Sequence, residues 1–391
     1  MLNFNIQIPT RIRFGRGKIE DLGKEILNYG DKVLLVYGGG SIKRSGLYDQ
    51  VVQIFQDNGI THVELSGVQP NPRISSVRQG VKLCKKHEVH LVLAVGGGST
   101  IDCAKIIAAG AGYDGDPWDF FTRKAKIKYA LPVGTVLTLA ATGSEMNPSA
   151  VISNDDTKQK LGTGSPVLIP RFSILDPEYS FTVPPTQTAA GTVDIMSHIF
   201  EQYFSPTPGT FIQERLAEAM LKTCIHFGPI AIAQPGNYEA RANLMWTSSL
   251  ALNGLLSAGK LTDWATHDIE HEISALYDVT HGLGLAILIP YWMQYILDEQ
   301  TAPRLAEYAR NVWEIEESED IIAAQAGIKK TAEFFKSMNL ASSLSEIGVE
   351  SKHLAEIAQR ATAKRTLGAF KKLEYQDVLN ILQTAYGVVA P

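Results

Sequence analysis

Two short apolar runs, Val33-Leu34-Leu35-Val36-Tyr37 and Leu91-Val92-Leu93-Ala94-Val95, each stop at three consecutive glycines. Five apolar residues in a row, with no polar alternation, read as a strand buried on both faces. Glycines directly after such a strand let the chain turn tightly and bring its N–H groups close to a neighbour. Helical periodicity follows each run, over residues 47–55 and 101–111. A weaker strand at 62–65 and a helix at 75–87 lie between them. This alternation predicts parallel βαβ units and hence an α/β fold with a parallel sheet.

The pattern continues with β-branched stretches and turns from 131 to 175, which read as further strands. It changes after Pro184-Pro185. From there the apolar period is helical, over 186–204, 213–226, 238–256, 283–297, 302–312, 321–338 and 376–386, within a helical tract running to Val389. A chain of 391 residues exceeds one simple core, so two domains are expected, 1–185 and 186–391. The composition is that of a globular protein, 45% hydrophobic and 20% charged. A net charge of −5 argues against a general affinity for nucleic acid. Cys84, Cys103 and Cys224 are odd in number and scattered, which fits a reducing cytoplasm. The N-terminal stretch lacks the basic and apolar regions of a signal peptide. The most apolar run, 282–297, is broken by Pro290 and Gln294 and reads as a buried helix, so no membrane span is expected.

Gly96-Gly97-Gly98-Ser99-Thr100 lies between a buried strand and a helix, where backbone N–H groups and the helix start favour an anion such as a pyrophosphate. The same glycines also serve a plain strand-to-helix turn. The motif is neither G-x-G-x-x-G nor a Walker A loop. At the other strand end, Gly38-Gly39-Gly40-Ser41 carries no carboxylate, while Lys43 and Arg44 follow closely. An acid at that place in dinucleotide folds holds the ribose hydroxyls and repels a 2′-phosphate. Its absence favours NADP(H), against the plainer reading of a turn with a solvated basic helix start. Residues 138–147, rich in hydroxyls, form a further loop able to line a cofactor.

Asp194 and His198 stand at i and i+4 in a helical stretch, so both side chains share one face. His267, His271 and His281, three of the chain's nine histidines, fall within fifteen residues. Asp194, His198, His267 and His281 together suit one divalent metal such as Zn²⁺ or Fe²⁺. Singly, each histidine also reads as a satisfied core residue. His267-Asp268-Ile269-Glu270-His271 also matches the H-x-x-E-H zinc-peptidase motif, with Glu270 as base. That alternative leaves Asp194, His198, His281 and both glycine loops without a purpose. Trp118, Phe121, Trp246 and Trp264 are candidates for an apolar substrate wall, or ordinary packing aromatics.

In order and spacing, several stretches resemble the iron-containing (group III) alcohol dehydrogenase family, within it the NADPH-dependent butanol dehydrogenase and aldehyde reductase branch. They are Pro9 to Gly15, Gly38 to Ser41, Pro70-Asn71-Pro72, Gly96 to Asp102, Ala141 to Glu145, Asp194 to His198 and His267 to His281. The resemblance spans essentially the whole chain. It implies a Rossmann-like parallel-sheet domain followed by an all-helical domain, the architecture of dehydroquinate synthase. It implies metal ligation by Asp194, His198, His267 and His281, with Fe²⁺ or Zn²⁺, and a proton-relay role for His271. Cofactor contacts map onto Gly38, Gly39, Ser41, Asn71, Gly97, Gly98, Ser99, Asp102, Thr138, Thr142, Ser144, Asn147, Lys160 and Tyr179. The implied activity is NADP(H)-linked reduction of short- to medium-chain aldehydes to primary alcohols. The implied assembly is a homodimer joined through its N-terminal strands, residues 4–8. A dehydroquinate synthase-like lyase shares the scaffold, but it needs a strongly basic pocket, and beside the cage the sequence offers only Lys260.

Overall fold

The computed structural model describes residues 1–387; positions 388–391, which close the expected helical tract and domain, lie outside the described residues. Eight strands are β1 (Arg11–Phe14), β2 (Lys32–Gly38), β3 (Thr61–Val68), β4 (Leu91–Gly96), β5 (Val133–Leu137), β6 (Ser149–Asn154), β7 (Gln159–Gly164) and β8 (Phe172–Leu175). Five helices lie among them: α1 (Leu22–Leu27), α2 (Ser41–Arg44), α3 (Leu47–Asp57), α4 (Ile74–His87) and α5 (Gly98–Ala111). Nine follow: α6 (Pro185–Tyr203), α7 (Phe211–Ala233), α8 (Tyr238–Ala251), α9 (Ala265–Tyr277), α10 (His281–Ile296), α11 (Ala302–Trp313), α12 (Asp320–Ser337), α13 (Leu354–Thr362) and α14 (Tyr375–Tyr386).

The chain divides into two compact units. One contains Gln7–Pro184 and Gln234–Asn253; the other contains Met1–Ile6, Pro185–Ala233 and the described residues from Gly254 onward. In the first, six strands form a wholly parallel sheet in the order β1-β8-β5-β4-β2-β3. The continuous apolar runs are explained by two-sided burial. Val33, Leu35 and Tyr37 pack with Leu22, Ile26, Val51 and Phe55 on one face. Leu34 and Val36 pack with Val77, Val81, Ile101 and Ile106 on the other. β6 and β7 stand apart as an antiparallel hairpin.

The division is not one cut at 185. Residues Gln234–Asn253, expected in the helical half, belong to the sheet unit. The reason is packing: Met245 joins the sheet core, Trp246 stands edge-on to Phe14 at 6.0 Å, and Ser249 donates to buried Glu145 at 2.5 Å. Met1 and Leu2 instead belong to the helical unit, tied by the Met1 ammonium to Pro208 O (2.7 Å) and by the Leu2 N–H to Gly259 O (2.9 Å). The sequence signals also passed over α9 and α13. α7, at 23 residues, is long enough to cross a bilayer. Its Glu214, Arg215 and Glu218 are instead tied by ion pairs and hydrogen bonds to Arg304, Glu307 and Tyr203.

Candidate metal centre and cofactor cradle

Helix α6 is buried along almost its whole length, polar side chains included. Hydroxyls there bond back to the helix itself: Thr192 to Thr188 O at 2.9 Å and Ser197 to Asp194 O at 2.7 Å. Asp194, His198 and Glu201 lie at i, i+4 and i+7, one face of the helix. Helix α9 supplies His267, Glu270 and His271. His281 is the first residue of α10.

Glycine sets how closely these helices meet. A Cβ at Gly282 would lie 2.0 Å from Ala190 O on α6, and one at Gly284 would lie 2.8 Å from the Glu270 Cγ. Only with no side chain at 282 does α10 start flush against α6, which brings His281 Nε2 to 3.7 Å from Asp194 Oδ1. One ligand atom each from Asp194, His267 and His281 lies within 4.8 Å of the others. His198 stands beside them, its ring centroid 5.0 Å from that of His267, and His281 is 5.2 Å from His267. The structure therefore gathers all four expected ligands, three in the tightest set and His198 one helical turn from Asp194.

The donor set fits a cation. Asp194 Oδ1, His198 Nδ1 and His267 Nε2 are buried without a hydrogen-bond partner. Leaving such atoms bare costs about 1–3 kcal/mol each, more for a charged group, so a local cluster of them calls for a ligand. Tetrahedral bonds of about 2.1 Å space their donors about 3.4 Å apart, close to the 3.7 Å between His281 and Asp194. Burial pushes His198 down to about 4, so it is a neutral imidazole at neutral pH. His267 behaves oppositely: burial lowers it, but the hydrogen bond and charge of Glu201 outweigh burial and hold it above the usual histidine range.

His271, half-buried at the edge of this group, has its centroid 5.5 Å from His281. Glu270 is fully buried and bonded to Ser274 Oγ and His281 Nδ1. A base already occupied in this way does not suit the H-x-x-E-H peptidase reading. Of the aromatic candidates, Trp264 borders the cage, with its ring 5.0 Å from His267. Trp118 and Phe121 are stacked in the core of the sheet unit, and Trp246 packs on Phe14. Sequence reading missed Glu201. The available signal was its position at i+7 from Asp194, on the helix face that carries both expected ligands of α6.

In the sheet unit the expected cofactor residues gather beyond the carboxyl ends of the parallel strands, where open α/β sheets bind ligands. Gly38 ends β2, and Gly39 and Ser41 follow it; Asn71 follows β3; Gly97, Gly98, Ser99 and Asp102 open α5 after β4; Thr138, Thr142, Ser144 and Asn147 follow β5; Tyr179 follows β8. Lys160 lies on β7. A Cβ at Gly98 would meet Thr142 Oγ1 at 2.3 Å, so the helix start and the hydroxyl loop touch directly. Ser144 donates to Asp102 at 2.5 Å, and Asn147 Oδ1 accepts from Ser149 N at 2.9 Å.

Beneath that loop lies Lys105, completely buried. Its Nζ donates to Ser144 Oγ, Asn147 O, Asn147 Oδ1 and Ser149 O at 2.8–3.0 Å, and burial pulls it down to about 8. Four acceptors converge on this one ammonium. Lys105→Met is therefore expected to destabilise the protein by about 3 kcal/mol or more in thermal or denaturant unfolding. In whatever remains folded, the cofactor KM should rise while metal content is unchanged.

Comparison with known proteins gives the family. Residues 9–177 match the iron-containing alcohol dehydrogenase family model, and residues 188–386 match the C-terminal model of the Fe-containing alcohol dehydrogenase family. The chain belongs to the iron-containing alcohol dehydrogenase family, and it is an oxidoreductase of that kind. It is 52% identical to NADH-dependent butanol dehydrogenase A of Clostridium acetobutylicum, over 99% of this chain and 100% of that one. It is 42% identical to the NADPH-dependent aldehyde reductase YqhD of Escherichia coli, over 92% and 93%. Among solved structures it is similar to NADH-dependent butanol dehydrogenase A of Thermotoga maritima, with a TM-score of 0.95 and 42% identity over 99% of each chain.

Proposed function

We propose that this protein reduces short- to medium-chain aldehydes to primary alcohols, reversibly, with NADP(H) and one divalent metal, Fe²⁺ or Zn²⁺. The observation that carries the reading is the set of Asp194, His267 and His281, one ligand atom of each within 4.8 Å of the others, with Asp194 Oδ1 and His267 Nε2 buried and unpartnered and the His198 ring alongside. When bound, the cation supplies Lewis acidity toward a carbonyl oxygen and the nicotinamide supplies hydride to the carbonyl carbon. Asp194 gives the cage its formal charge, and His198, neutral down to about pH 4, is available as a ligand without proton competition. His271, at the rim, holds the proton that completes the alcohol oxygen. In the sheet unit, the N–H groups of Gly97 and Gly98 at the start of the 14-residue α5 favour the pyrophosphate, and the loop carrying Thr138 and Thr142 supplies hydroxyl donors.

Support for NADP(H) comes from the end of β2. No carboxylate follows that strand. Glu64 on neighbouring β3 accepts from Tyr37 Oη and Tyr48 Oη, both at 2.6 Å, so its oxygens are already engaged. Lys43 Nζ rests 4.4 Å from the Tyr48 ring centroid, which keeps a positive charge nearby. The relatives are named for either cofactor, so the preference needs its own test. A Cβ at Gly39 would meet nothing within 4 Å, whereas one at Gly38 would crowd Val68 O at 3.2 Å. Gly39→Asp is therefore the cleaner substitution. It should lower kcat/KM for NADPH by about tenfold or more while leaving NADH within a few fold. An unchanged ratio places the adenosine end elsewhere.

We place the protein in the cytoplasm, in keeping with three buried, unbridged cysteines. A homodimer is supported by Phe4, Ile6 and Ile8, which alternate along the N-terminal segment with 38–48% of their surface exposed. The overall reading is tested by a panel of aldehydes against NADPH and NADH, with the protein loaded separately with Fe²⁺ and Zn²⁺. Metal-dependent oxidation of the reduced nicotinamide by C3–C8 aldehydes is expected; metal-independent turnover contradicts it.

A further inference from the structure

A neutral imidazole carries one proton on either ring nitrogen, and only the Nδ1–H form leaves Nε2 bare for a cation. In this fold, buried carboxylates stand behind two of the cage histidines. Glu201 Oε1 accepts from His267 Nδ1 at 2.9 Å, from Thr266 Oγ1 at 2.6 Å and from His267 N at 3.2 Å; Oε2 accepts from Trp264 N at 2.6 Å. Four donors converge on two oxygens, so the group is an ionised acceptor and His267 must present its proton at Nδ1. Its Nε2 is then the buried, unpartnered atom that faces the cage. Glu201 also anchors the start of α9, where Trp264 takes a left-handed backbone at φ 69°. Glu270 meets His281 Nδ1 in the same way and has no room to turn aside, with Gly284 flush against its Cγ.

We propose that Glu201 and Glu270 are positioning residues for the metal centre. Each fixes one imidazole in the Nδ1–H form, aims its Nε2 inward and, by its charge, makes that nitrogen a better donor. The inference rests on the metal-centre reading. Gln at 201 keeps the size but offers a single oxygen where four donors meet, so one donor faces another.

The test is Zn²⁺ affinity of the metal-stripped full-length protein, measured by chelator competition, with Co²⁺ absorption bands as a second readout. Glu201→Gln and Glu270→Gln should each weaken binding by about 10–100-fold and shift the Co²⁺ bands. Thr266→Val removes another donor to Glu201 without touching the imidazole, and should stay within about threefold of the parent. Affinities of both Gln variants within twofold of the parent overturn the inference. So does a Thr266→Val loss equal to that of Glu201→Gln, which would make Glu201 a helix anchor only. Should Glu201→Gln not fold, Glu270→Gln carries the test on the second ring. Parent-like binding by His267→Ala would instead remove the metal-centre reading itself, a failure distinct from the others.

Discussion

His267→Ala is expected to abolish turnover, with kcat down at least about a thousandfold. Metal content should fall with it, and cofactor binding should persist. His267 is buried and its Nε2 has no hydrogen-bond partner. Removing the ring deletes a donor from the tightest set and leaves the buried Glu201 carboxylate with one donor fewer. Some loss of stability is therefore expected as well. The cofactor residues lie in the other compact unit, on strands and loops that do not include α9. Fluorescence titration with NADPH should give a Kd within a few fold of the parent, and metal analysis should show well under one equivalent. Full activity in the stripped variant contradicts the reading.

Gly282→Ala is the second large effect, and it touches no ligand. The added methyl would sit 2.0 Å from Ala190 O, a backbone atom of a buried helix that has nowhere to go. Overpacking of this kind costs about 1–3 kcal/mol, occasionally more. For a unit of this size that lowers Tm by about 2–4 °C per kcal/mol. The functional loss should exceed the stability loss, because the methyl drives the first turn of α10, and His281 with it, away from Asp194. Metal affinity should fall about tenfold or more. A variant with parent-like metal affinity and Tm means that α10 approaches α6 less closely than described.

The strands and the residues gathered at the candidate metal centre were legible in the sequence for different reasons. Strands β2 and β4 showed themselves because burial on both faces leaves no polar alternation, and the glycine runs marked where each ends. Asp194 and His198 were legible because i, i+4 spacing on a helix is local geometry. Helix α9 was not. Its polar residues, Thr266-His267-Asp268 and Glu270-His271, interrupt the apolar period, and the carboxylate that anchors its first turn comes from Glu201, far away in sequence. For α8, the pattern gave the element and not its place. What assigns it to the sheet unit is long-range: Met245 in the core and Ser249 on Glu145. Glu270 was legible as a residue that matters, through H-x-x-E-H. Its hydrogen bonds to His281 Nδ1 and Ser274 Oγ favour the positioning role proposed above over that of a base.

The most direct test is the position of the metal itself. Anomalous diffraction from crystals of the full-length protein loaded with Fe²⁺ or Zn²⁺, recorded at the metal edge, should give one strong peak per chain. That peak should lie about 2.0–2.2 Å from a carboxylate oxygen of Asp194 and from one nitrogen each of His198, His267 and His281. A second group, Glu270, His271 and His281, also brings ligand atoms within 4.8 Å of one another. A peak at that group, or no ordered metal beside Asp194 and His267, contradicts the account.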